Sequence, residues 1–160
     1  MDKLYTLVVV ESPYAPTTKI PDADCCCDNP KRFKPSDPWV LCAGHQCLMC
    51  GVLGMWFAER HCNIRYARAA MKDCLGRGEA PYLSHLLYTQ EGVLDDTIPE
   101  EREHGIRAGF AWRQVAAKTI VYTDLGISKG MKYGIDDAAS RGCPVEYRTL
   151  PGWVISRRAL

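Results

Sequence analysis

TIVYTDLGISKGM, residues 119–131, runs from a β-branched apolar stretch through a polar, glycine-containing turn into a helix start, and that passage decides the fold class. Thr119 to Thr123 suits a strand buried on both faces. Ser128 is placed to cap the helix that follows, in which Met131, Ile135, Ala138 and Ala139 share one face before Gly142 and Pro144 close it. A strand that enters a helix this way allows close backbone approach and presents unpaired N–H groups, which suits a phosphate or a sugar hydroxyl. The same residues also make an ordinary cap and turn. Asp124 could hold ribose hydroxyls with its acceptor oxygens, or cap the turn itself.

Outward from this stretch the alternation continues. Leu4 to Val10 predicts a first strand, Ala80 to Leu83 a second and Val145 to Thr149 a last one. Asn63 is placed to cap a helix through Ile64, Ala67, Met71, Cys74 and Leu75, ended by Gly76 and Gly78. Thr97-Ile98-Pro99-Glu100 combines a capping box with an early proline and opens a helix through Ile106, Phe110 and Val115. The order β, insertion, α, β, α, β, α, β predicts an open α/β sheet of mostly parallel strands. Ligands of such sheets bind beyond the carboxyl ends of the strands. Three polar clusters fall at that edge: Glu11-Ser12-Pro13-Tyr14, Ser84-His85, and Asp124 to Gly130.

The chemistry of those clusters is varied. His85 could donate to a base or phosphate and titrate near neutrality, or be satisfied by nearby backbone. Glu11 ends a buried strand, where desolvation would raise its pKa and fit it for proton transfer; a partner such as Arg65 or Arg68 would make it structural instead. Asp95 and Asp96 lie on the loop from Gln90 to Thr97, which could close over the edge as a lid or serve as a plain turn.

The 160 residues, 17.9 kDa, are enough for one compact domain over 1–160, and a formal charge of +1 leaves no global attraction for nucleic acid or anionic membrane. The apolar run Leu7 to Val10 is too short for a signal peptide core or a membrane span, so a reducing cytoplasm is expected. Seven of the nine cysteines fall between Cys25 and Cys62, and six of the ten prolines between Pro13 and Pro38. Residues 15–60 are therefore read as a cysteine-rich insertion after the first strand, with Phe33, Trp39, Trp56 and Phe57 to support local packing. Cys42, Cys47 and Cys50 could bind structural zinc, with Cys62, His45, His61 or one of Cys25 to Cys27 as fourth ligand. Reduced thiols are the alternative.

VVVESPYA, NIRYARAAMKDCLGRG, EAPYLSHLLYTQEGVLDD, TDLGISKGMKYGIDDA and GCPVEYR, in that order, resemble the nucleoside 2-deoxyribosyltransferase-like family, and more narrowly a small subgroup often encoded by bacterial viruses. The resemblance covers residues 4–14 and 61–153. It implies a flavodoxin-like, Rossmann-like three-layer fold with a five-stranded sheet, a homodimer or larger homo-oligomer, and a pocket for a nucleoside or nucleotide. Glu11 to Tyr14 would correspond to the first sugar-binding loop and Ser84-His85 to the second. Asp124 with Ser128, Lys129, Gly130 and Met131 would correspond to the family's aspartate and Ser-x-Gly motif. The family's nucleophilic glutamate falls four residues after the motif glycine, where this chain has Gly134.

Three readings follow. A pocket that keeps sugar and phosphate contacts without the nucleophile would bind a nucleotide-like signal and sequester it. Alternatively, Glu11, Asp96 or Asp137 would replace the missing glutamate in an active N-glycosidase or transferase, although a carboxylate misplaced by about 1 Å can cost on the order of 100-fold in rate. In a third reading the insertion docks a protein partner.

Overall fold

The computed structural model describes residues 5–16 and 48–153, with 48–58 as backbone alone. Eight elements follow in order: β1 (Thr6–Glu11), α1 (Leu48–Gly76), β2 (Glu79–Tyr82), α2 (Ser84–Leu87), α3 (Pro99–Trp112), β3 (Lys118–Tyr122), α4 (Lys129–Ser140) and β4 (Val145–Arg148). The chain divides into two compact units, one taking in residues 5–14 and 64–153 among those described, the other 15–16 and 48–63. Residues 17–47 of the expected insertion lie outside the described residues.

All strand pairs are parallel, and their order is β2-β1-β3-β4. The chain steps from β1 to β2 in one direction and from β2 over to β3 and β4 in the other, so the order reverses between β1 and β3. That reversal is the switch point of a Rossmann-like α/β sheet. Four strands are present among the described residues; the fifth that the resemblance implies is not among them.

Alternation along the central strands builds the layers. Val8, Val10, Ile120 and Tyr122 point to one face and bury against Tyr66, Ala67, Ala70 and Cys74 of α1. Val9 and Val121, equally buried, point to the other face, where α4 packs. Each of these aliphatic side chains contributes roughly 1.5–3 kcal/mol by leaving water. Pro81 sits in β2, an edge strand, where its missing N–H breaks no ladder on the open side.

Several local expectations are corrected. Asn63 does not cap a helix; it lies inside α1 (Leu48–Gly76), which takes in residues 48–60 of the expected insertion. The box at Thr97 does not form: the N-cap is Ile98 with no side-chain bond, and the Thr97 N–H, which a box would give to the third helical residue, donates to Asp95, as does its hydroxyl. Pro99 at the first turn and the acidic Glu100 and Glu101 still start α3, which ends at Trp112, short of Val115. Ser128 does cap α4, its Oγ accepting from the Met131 N–H at 3.3 Å.

Candidate functional site

The carboxyl end of β1 delivers Glu11 to the face opposite α1 and Ser12 to the edge. Ser12 is buried, and its Oγ lies 3.1 Å from Nε2 of His85. His85 is placed by α2, a short helix directly after β2 that periodicity did not reveal. Burial pushes its imidazole down to about 4, so it is neutral at physiological pH. The Tyr14 ring stands 5.4 Å from the His85 ring, and the Thr89 hydroxyl donates to Tyr14 Oη at 2.7 Å and contacts the His85 carbonyl. Two of the expected clusters, Glu11 to Tyr14 and Ser84-His85, are thus brought together. Gly109 makes this compact: a Cβ there would sit 3.1 Å from Ser84 Cβ, so α3 can close on the start of α2.

Glu11 meets neither Arg65 nor Arg68. Its partner is Arg113, the C-cap residue just after α3, whose side chain is 2% exposed. Nη2 of Arg113 donates to Glu11 Oε1, Nη1 lies 3.3 Å from Asp137 Oδ2, and the guanidinium rests over the Phe110 ring. Asp137 also accepts from Arg141 Nε at 2.9 Å. Gly134, one turn before Asp137 on α4, makes the room. A Cβ at 134 would fall 2.1 Å from Glu11 Oε1 and 2.7 Å from Arg113 Nη2. Burial pushes the Glu11 carboxyl up to about 7, against the pull of Arg113 and with a further push from the Asp137 charge.

The third cluster is engaged in holding the fold. Asp124 Oδ2 accepts from Tyr66 Oη at 2.6 Å and from the Leu150 N–H at 3.0 Å, joining the turn after β3 to α1 and to the segment after β4. Met131 is 1% exposed, in the core, with its Sδ 3.4 Å from the Ser128 nitrogen. Gly130 lies beside Arg102, whose Nη1 pairs with Asp96 at 2.5 Å. The Asp95-Asp96 loop is therefore fastened to α3 by turn bonds and this ion pair. The three candidate catalytic carboxylates, Glu11, Asp96 and Asp137, are all paired with arginine.

Arg113 is the site residue that the sequence did not disclose. It follows a helix with no motif around it, and its partners are 102 and 24 positions away in the chain. Gly134 was visible as a missing glutamate; that the gap admits Glu11 was not.

Among the described residues no group of three or more His, Cys, Asp or Glu side chains could hold a metal ion. Cys42 and Cys47 of the expected zinc set lie outside those residues, Cys50 is described as backbone only, and Cys62 is a half-buried free thiol. No helix among the described residues is long and apolar enough to cross a membrane.

No curated protein and no solved structure matches the chain. A family model does, over residues 55–148, from within α1 to the end of β4 and so without the β1 side of the site. That match spans more than half of the chain, which therefore belongs to DUF7768, a domain of unknown function.

Proposed function

We propose that this DUF7768 chain binds a nucleotide or nucleotide-derived small molecule at the carboxyl edge of its sheet and holds it without turnover. The observation that carries this reading is the pairing of every candidate nucleophile with a guanidinium: Glu11 and Asp137 with Arg113, Asp96 with Arg102. A guanidinium bound to a carboxylate oxygen lowers the nucleophilicity of that oxygen, and Gly134 leaves the resemblance's nucleophile position without a side chain. The switch point between β1 and β3 supports the location, and Ser12, Tyr14 and His85 supply neutral polar groups for recognition. The test is a thermal-shift screen of nucleosides and their 5′-phosphates, followed by recovery of the ligand. A ligand at 100 times its Kd should stabilise the protein by about 2.7 kcal/mol and be recovered intact. Release of free base would overturn the reading.

One observation favours a second reading, an active N-glycosidase or deoxyribosyltransferase: the Glu11 carboxylate occupies the room that a side chain at 134 would need. Base release by the wild-type protein, abolished in Glu11→Gln, would establish it. In either case the reading includes a homo-oligomer. Its support is an apolar groove of about 360 Å³ lined by Leu7, Met71, Leu75, Tyr82, Trp112 and Val115.

A further inference from the structure

We propose that Glu11 selects the ligand at this edge, accepting through Oε2 a hydrogen bond from an uncharged donor on the bound molecule, a hydroxyl or an amino group. The inference rests on the binding reading above and adds to it the recognising residue and the chemistry it takes.

Three observations converge on Glu11. Its Oε1 is pinned by Arg113, while no group among the described residues engages Oε2, and the side chain keeps 16% of its exposure. Gly134 leaves room for the carboxylate on the α4 side, where a Cβ would fall 2.1 Å from Oε1 and 2.5 Å from Cδ. Glu11 is also the less engaged of the two acids: Arg113 serves both carboxylates, Arg141 adds a second cation to Asp137 alone, and nothing described engages the second oxygen of Glu11. A phosphate brought to that oxygen would meet repulsion, whereas a hydroxyl or amine would satisfy it. The surrounding cluster has capacity to spare. Arg113 Nε and Tyr82 Oη are buried without a hydrogen-bond partner. A site built around such a bond rejects the analogue that lacks the donor, because the buried acceptor is then left unpaired.

Calorimetric titration of the full chain tests this with three probes: adenosine 5′-monophosphate, inosine 5′-monophosphate and 2′,3′-dideoxyadenosine 5′-monophosphate. Glu11→Gln should weaken adenosine monophosphate by about tenfold or more. One of the two trimmed ligands should show the same loss on the wild type and no further loss on the variant. The dideoxy compound assigns the bond to a sugar hydroxyl, the inosine compound to the base amine. Glu11→Asp, which withdraws the carboxylate by one methylene, should weaken binding in the same direction and serves if the Gln variant fails to fold. Carbodiimide coupling of glycine ethyl ester should label Glu11 in the free wild-type protein, with protection by adenosine monophosphate. Unchanged affinity in the folded variants, or a Glu11 that takes no label, would overturn the inference while leaving the binding reading intact. A wild-type protein that binds none of the three would instead remove both.

Discussion

Two buried ion-pair clusters use the same residue types and behave oppositely. Around Arg113, two carboxylates share one buried guanidinium, the second cation, Arg141, reaches Asp137 alone, and Glu11 is pushed up to about 7. Around Arg148, two carboxylates meet two cations. Arg148 grips Glu79 with both terminal nitrogens, at 2.7 and 2.8 Å, and reaches Glu146 through Nε, while Lys118 touches both acids. There the hydrogen bonds from Arg148, with those of Lys118, outweigh burial and hold Glu79 down at about 2. The presence of an ion pair therefore does not tell what it does. The set in which both cations reach both acids is a fastener joining β2, β3 and β4; the set that leaves Glu11 with a single cation keeps unused hydrogen-bonding capacity beside the switch point.

The contrast breaks hardest at the arginines. Arg113→Met should destabilise the protein by about 3–5 kcal/mol, since it leaves Glu11 and Asp137 buried without their common cation. Arg148→Met should cost less, because Lys118 still reaches both Glu79 and Glu146. Urea unfolding at pH 7 ranks the two. A larger loss for Arg148→Met would mean that the sharing of cations between the acids is not what separates the clusters.

The pH dependence sharpens the contrast next. The folded Glu11 binds its proton more tightly than the unfolded chain does, so its contribution to stability is full below about 4.5 and is lost as pH rises to about 7. Glu79 has the reverse sign: its contribution is present above about 4.5 and is lost as pH falls toward 2. A shift of the size seen at Glu11 corresponds to roughly 3 kcal/mol. Urea midpoints measured from pH 4.5 to 8 should fall with pH in the wild type and fall less in Glu11→Gln. Below pH 4.5, Glu79→Gln should flatten the acid limb. Parallel profiles for wild type and Glu11→Gln would remove Glu11 as the titrating group.

How much of this was legible in the sequence follows from the range of each interaction. The four strands came from local apolar runs and shift by only one or two residues; the Ser128 cap came from a spacing of three. Asn63 and Thr97 misled for a local reason as well: each has the right residue type, but a helix already under way absorbs Asn63, and Thr97 turns back onto Asp95 one residue before the N-cap, Ile98. The fold class was thus readable. Glu11 and His85 were readable as candidates because both follow strands, yet what governs Glu11 was not. Arg113, Gly134 and Asp137 arrive from α3 and α4 by long-range packing, and nothing local marks a lone arginine after Trp112 as their centre.

Gly134 gives the finest division between the two readings of that centre, as plain packing or as a cradle for Glu11. Gly134→Ala inserts a Cβ 2.1 Å from Glu11 Oε1, so the carboxylate and Arg113 Nη2 must move within a buried space. The expected cost is about 1–3 kcal/mol, typical of overpacking, although alanine is otherwise the better helix former. If the clash is with Glu11 itself, the Glu11→Ala background should remove most of the cost, giving an interaction energy of about 1 kcal/mol or more in a double-mutant cycle. Strictly additive losses would place the obstruction elsewhere. Glycine at 134 would then be a matter of backbone packing, and the open carboxylate would no longer be what separates this cluster from the fastener at Arg148.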